Sequence, residues 1–361
     1  MAVGHGTRPA RAGRPVSADR PRERWMDVVR GVSVLFVVLS HATLILAETY
    51  PVPAWMLRLD VLLMPYRMPA LMALSGMLLP LAFRKPLVVY YVSKARTLLW
   101  PYLVWVLVLA AVGNLPGPIL DPRTWYATSY LWFIFFLLCY FTVAPLVRLL
   151  PRWGVVVLVL ALISVSTPLD VVSDGRTKSL LYLGGFFFAG YALTLYPGLL
   201  RSVRARRPLF VVLGLAPVVL VLVTGAFEHS GAYALLSSVG VLGVIAASMI
   251  AVDGGRTGFV ELLGRNSVVV YVTHFPLLVL LVDGAARSGA QPPSWATPIL
   301  VLALFVLAVA VAYGLVRLRH VRIVGWLFEW PSTAVPRRWV GVRRTDVPPA
   351  AAPELAQEGT P

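Results

Sequence analysis

The stretch Arg24 to Leu46, RWMDVVRGVSVLFVVLSHATLIL, is long and apolar enough to cross a bilayer, yet it carries Asp27, Arg30, Ser40 and His41. An ionisable side chain in hydrocarbon is costly and therefore faces a protein interior or a polar cavity. Arg30 and His41 are eleven residues apart. At roughly 100° per residue they fall within about 20° of one another on a helix, ~16 Å apart along its axis. One face thus bears a cation near its start and a histidine deep inside.

Other residues are candidates for the same chemistry. On the next apolar run, Arg67 lies at the depth of His41 if the two helices are antiparallel neighbours. A neutral histidine there suits a general base, and a cation beside it can stabilise a developing oxyanion; the other reading of Arg67 is that it snorkels to the outer headgroups. Arg30 sits near the inner mouth, three residues after Asp27. It is either half of an i,i+3 pair or a phosphate-binding cation for a nucleotide-like donor arriving from the cytoplasm. Lys94 and Arg96 add to that field, or belong to a generic positive-inside cluster. Ser75-Gly76 reads as a point of close helix approach. Ser75 maps too far inward of His41 for a nucleophilic Ser–His pair. Trp132 lies in an outer aromatic belt. Tyr271 and His274 share a late span, where His274 reads as a hydrogen-bonded structural histidine. Glu48 either orients the His41 imidazole or sits in a wet loop. Two histidines without a carboxylate, one cysteine (Cys139) and no HExxH pattern argue against a metal.

The elements that must hold these residues are transmembrane helices. The chain has 361 residues, 58% hydrophobic and 13% charged, and a mean hydropathy of +0.79; a soluble domain carries roughly 25% charged residues. Apolar runs are expected at about 24–46, 61–83, 98–114, 129–149, 153–168, 179–197, 208–226, 233–251, 263–282 and 296–316, the fifth being the shortest, each near the ~20 residues a span needs. Most of the 32 Lys and Arg then fall on one side, which sets both termini in the cytoplasm. The net charge of +16 is accounted for by this bias, so nucleic acid is not an expected partner. The expected fold class is all-α, a polytopic integral membrane protein of about ten helices in the cell membrane. Residues 1–23 read as a disordered basic tail, 24–316 as the membrane domain, and 317–361 as a basic, then Pro/Ala-rich, cytoplasmic tail. The first span reads as retained, since Ala47-Glu48-Thr49-Tyr50 is a poor cleavage site.

Together these residues resemble the membrane-bound acyltransferase 3 family. The opening Arg24-Trp25-Met26-Asp27-Val28-Val29-Arg30-Gly31 followed by His41 is similar to the family's first-span signature, an Arg and a His separated by ten residues. Met68-Pro69 with Leu74-Ser75-Gly76-Met77, then Lys94 and Arg96 before Trp100-Pro101-Tyr102, then Leu131-Trp132-Phe133, then Gly264–Ser267 with Tyr271, His274 and Pro276 resemble later motifs in order. Lys94 and Arg96 stand where the family usually has two arginines. The resemblance implies a membrane enzyme that O-acylates cell-envelope carbohydrates, with no bound cofactor and acyl-CoA, chiefly acetyl-CoA, as co-substrate. The acceptor would be a carbohydrate or glycolipid. On this reading His41 is the base or acyl carrier, with Arg67 on the oxyanion. Arg30, Lys94 and Arg96 hold the donor, while Asp27, Ser75, Trp132, Tyr271 and His274 support them. Membrane lipids are the remaining partner. The competing expectation is a transporter or lipid flippase, because intramembrane Arg and His also mark substrate pathways.

Overall fold

The structure is a computed structural model that describes residues 23–167, 175–225, 227–228 and 230–331. Among the described residues every regular element is helical, and nine helices are long and apolar enough to cross a membrane. These are Arg24–Thr49, Ala54–Ala82, Leu87–Ala111, Ser129–Val147, Gly175–Leu195, Arg207–Thr224, Gly231–Asp253, Ser267–Arg287 and Ser294–Leu318. A shorter apolar helix, Arg152–Ser166, has 15 residues, a length of only ~22 Å.

The neighbours of that short helix place it in the bundle. Ser129–Val147 starts at one end of the bundle, and Gly175–Leu195 starts at the same end, where Arg176 Nη1 donates to the Ser129 carbonyl at 3.3 Å. Arg152–Ser166 is the helix that lies between them in the chain. This helix packs against Gly175–Leu195, with Ile163 against Gly185 and Leu162 against Gly184. Among the described residues nine helices are thus of spanning length and apolarity, against about ten expected, and the short helix stands where the expected fifth run falls; it is counted as the fifth crossing in the numbering below. The crossings are numbered one to ten below in chain order.

Crossings one and two form the centre of the bundle. Crossings six, seven and ten differ in exposure: six lines the core, whereas seven and ten leave most of their apolar surface open, the pattern expected of helices that face lipid. Small residues set the closest approaches. A Cβ on Gly264 would come within 1.8 Å of the Asp27 carbonyl oxygen, and one on Gly190 within 1.9 Å of the Ala73 carbonyl oxygen. Gly76 packs against the Phe187 carbonyl in the same way, which fits the close-approach reading of Ser75-Gly76.

Two boundaries differ from expectation. Crossing three begins at Leu87, not near residue 98, so Lys94 and Arg96 lie within the helix and not in a loop. Their charges interrupt the hydropathy and hide the first two turns. Between Lys94 and Trp100 the helix widens into a π turn, Ala95–Leu99, which contains Arg96; such a turn inserts a residue and re-aims the side chains beyond it. Second, the segment after residue 317 is not all tail: a short helix, Arg322–Trp326, comes after crossing ten, and Phe328 is buried. The expected tails at 1–22 and 332–361 lie outside the described residues.

Candidate active site

Crossings one and nine bring His41 and His274 together. His274 Nε2 is 3.0 Å from His41 Nδ1, and His274 Nδ1 is 3.1 Å from the Val270 carbonyl oxygen. A carbonyl only accepts, so His274 carries its proton on Nδ1. In a neutral imidazole the other nitrogen is then an acceptor. His274 Nε2 therefore accepts from His41 Nδ1–H, and His41 keeps a lone pair on Nε2. His274 is fully buried, whereas His41 borders a cavity.

The local sequence explains why His274 is held so firmly. Pro276 has no N–H, so the Val272 carbonyl four residues earlier loses its helical partner. The Tyr130 hydroxyl fills the gap, donating to that carbonyl at 2.6 Å. In return the Tyr271 hydroxyl donates to the Tyr130 carbonyl. The Tyr130 ring stacks on Phe275 at 4.5 Å and meets His274 edge-on at 5.7 Å. A helix break that would otherwise be costly thus becomes a fixed seat for the histidine.

Two cavities flank this cluster. The outer one, about 440 Å³, is bordered by His41, Ser129, Trp132, Arg176, Ser179 and Phe275 among others. The inner one, about 250 Å³, has Arg30, Lys94, Thr97, Arg265 and Ser267 toward the basic end of the bundle, and Ser75 and Tyr271 also border it. The Tyr271 ring lies 5.7 Å from Tyr130, 5.2 Å from Phe133 and 5.9 Å from His274, centroid to centroid. This aromatic layer stands between the cavities.

The expected site residues divide accordingly. Arg30 and Lys94 share the inner cavity, and the Lys94 ammonium sits 3.4 Å over the Phe141 ring centroid, a cation–π contact. Arg96 turns away from the cavity to Glu329, with Nη2 to Oε1 at 3.0 Å. Arg67 is buried and paired with Asp60, Nη1 to Oδ1 at 2.5 Å, and the Ser40 hydroxyl donates to the same Asp60 oxygen. Asp27 pairs with Arg265 at 3.1 Å. The Ser75 hydroxyl donates to the Leu71 carbonyl at 2.8 Å, a packing role. Trp132 faces the outer cavity. Glu48 is exposed at the end of crossing one, and it is His274 that orients His41. Among the described residues no cluster of His, Cys, Asp and Glu has the makings of a metal site.

Two residues of the site escape sequence reasoning. The second apolar run starts at Val61, which leaves Asp60 just outside it, but the helix itself begins at Ala54. The spacing of seven between Asp60 and Arg67, two turns on one face, is the available signal. Arg176 reads in sequence as an outer loop cation, and its proximity to His41 has no local signal.

The basic end is tied together by charge. Arg24 Nη2 meets Glu261 Oε1 at 2.7 Å, and Arg265 Nη2 meets Glu261 Oε2 at 3.0 Å. Hydrogen bonds from Arg24 and then Thr257 hold the Glu261 carboxyl down to about 2. This clamp fixes the short helix Gly258–Arg265 against crossing one, and so aligns crossing nine with it.

A family profile described as an acyltransferase domain matches residues 23–317. No curated protein and no solved structure matches the chain. The matched stretch contains the histidine pair and both cavities, and covers most of the chain; the protein belongs to the acyltransferase 3 family and is a multi-pass membrane acyltransferase.

Proposed function

We propose that the protein moves an acyl group, acetyl in the first instance, from cytoplasmic acyl-CoA to a hydroxyl of a carbohydrate or glycolipid at the outer face of the cell membrane. The observation that carries this reading is the lone pair left on His41 Nε2 by the hydrogen-bond chain from Val270 through His274. The phosphates of the donor rest against Arg30, Lys94 and Arg265 in the inner cavity, where charge-assisted hydrogen bonds are strongest. Its thioester reaches past Tyr271 to His41.

There the acceptor oxygen attacks the thioester carbonyl while His41 Nε2 takes the hydroxyl proton. The tetrahedral intermediate collapses, the C–S bond breaks, and the departing thiolate recovers that proton from the imidazolium. In the covalent variant, Nε2 attacks the carbonyl and the C–S bond breaks to release the thiolate; the acceptor oxygen then attacks the acyl-imidazolium, the C–N bond breaks, and the hydroxyl proton goes to the thiolate. His274 holds the ring in the correct tautomer for either route. Arg67 contributes its field to His41 from within its ion pair with Asp60. Arg176, a cation bordering the outer cavity beside His41, is placed to meet a developing oxyanion or an anionic group on the acceptor. The aromatic rings of Trp132, Phe136 and Phe275 offer flat apolar faces to a sugar.

The test is purified protein in detergent with radiolabelled acetyl-CoA and an extract of envelope glycans and glycolipids. Wild type should transfer label to an alkali-labile ester, and His41→Ala should not. Equal transfer by the two proteins overturns the assignment.

A further inference from the structure

The family profile stops at residue 317, yet the chain beyond it is bound closely to crossing three. Trp100 Nε1 donates to the Trp326 carbonyl at 2.6 Å, and Trp105 Nε1 to the Leu327 carbonyl at 3.0 Å. Phe328 is 2% exposed and stacks on Trp105. Trp330 packs on Trp100 at 5.3 Å. The Trp330 N–H donates to the Arg96 carbonyl at 3.2 Å, and Arg96 Nε donates back to the Trp330 carbonyl at 3.3 Å. All of these anchors lie on or just beyond the π turn, where the backbone has left its ordinary helical register.

Glu329 then reaches in two directions. Its Oε1 takes Arg96 Nη2 at 3.0 Å, and its Oε2 takes Arg319 Nη2 at 3.4 Å. Arg319 Nη1 in turn meets Asn266 Oδ1 at 3.4 Å. Arg96 does not border the inner cavity, but its chain neighbours Lys94 and Thr97 do. Asn266 likewise stands between two residues that border it, Arg265 and Ser267. A single carboxylate therefore couples these two walls of the cavity through two guanidinium groups.

We propose that Leu327–Trp330 is a strap that holds the inner cavity in its binding form, with Glu329 as the positioning residue that spaces Lys94 from Arg265. This rests on the reading of that cavity as the donor site. Arg96 then serves the donor indirectly, by anchoring the strap. With Glu329 neutralised, two buried or half-buried cations lose their shared partner and the walls part. The donor's charged end loses its fit, while the distant His41 cluster is untouched.

The experiment uses full-length protein with Glu329→Gln, which preserves shape, and Phe328→Ala, which unseats the strap by a different contact. Glu329→Asp serves as the conservative rescue. Two readouts are taken in detergent. One is acetylation of Lys94 by acetic anhydride, followed by mass spectrometry; the other is binding of coenzyme A by calorimetry. In both Gln and Ala variants Lys94 labelling should rise several-fold, and coenzyme A affinity should fall about five- to tenfold, with partial recovery in the Asp variant. In turnover assays the donor KM should rise by a similar factor, with kcat and acceptor KM held. Unchanged Lys94 labelling in both variants overturns the strap. So does unchanged coenzyme A affinity when wild type binds. If wild type fails to bind coenzyme A, the donor reading falls by itself, and Lys94 labelling alone then upholds or overturns the strap.

Discussion

His41 and His274 are 233 positions apart in the chain and share one hydrogen bond, 3.0 Å from Nδ1 to Nε2. That bond assigns unequal duties. His274 is sealed in by the Val270 carbonyl and the Tyr130 and Tyr271 rings, and His41 retains the lone pair on Nε2 that we propose as the reactive one. His41→Ala should lower acyl transfer by about 10²–10⁴-fold. His274→Ala should lower it less, and the double variant should be no slower than His41→Ala, because the two act as a unit. Initial rates with labelled acetyl-CoA decide this; additive losses would count against a dyad.

The Tyr130 hydroxyl exists in this arrangement to serve the carbonyl that Pro276 frees. Tyr130→Phe should leave the Val272 oxygen buried without a donor, at a cost of about 1–3 kcal/mol. Restoring a backbone N–H with Pro276→Ala should relieve part of that cost. In a double-mutant cycle read by thermal melting, the two changes should therefore couple. Additivity within error would show that the Tyr130 hydroxyl satisfies nothing that the helix could supply itself.

Gly264 has no room for a side chain, since a Cβ would meet the Asp27 carbonyl oxygen at 1.8 Å. Gly284, later on crossing nine, has nothing within 4 Å. Gly264→Ala should force crossing one away from the short helix Gly258–Arg265 and sharply reduce folded protein. Gly284→Ala should melt as wild type does. Size-exclusion profiles of the two variants after extraction provide the comparison.

The Glu261 carboxyl, held down to about 2 by Arg24 and Thr257 from an ordinary value of 4.5, makes a pH-dependent contribution. Because its folded value is the lower one, the unfolded chain binds the proton first as pH falls. The stabilisation should be complete above the ordinary value. It should decline below pH 4.5 and be lost as the pH passes through about 2. Glu261→Gln should flatten that part of the melting curve while lowering stability at neutral pH. A variant with an unaltered acid limb would remove Glu261 from the clamp.

Much of this fold is legible in the sequence because hydropathy is nearly one-dimensional. The all-helical membrane architecture and most of its apolar helices come from runs of apolar residues. Legibility fails where charge enters a helix. Lys94 and Arg96 mask the first turns of crossing three. Asp60 falls outside the apolar run, so Arg67 reads as an unpaired cation and the Ser40–Asp60–Arg67 cluster stays hidden. Contacts between distant segments are the other blind spot. His41 and His274 can each be singled out, but no periodicity reports that crossings one and nine meet. Glu329 lies in a stretch that reads as tail, and nothing local marks it as the partner of Arg96.

The layer formed by Tyr271, Tyr130 and Phe133 has a further consequence. A protein hollowed from both faces of an energised membrane risks becoming a proton leak, and that leak would drain the gradient on which the cell runs. Rings packed this closely present an apolar barrier between the two cavities. On the proposed donor route, the thioester arm would have to displace one of these rings to reach His41, so the barrier would open only while substrate fills it.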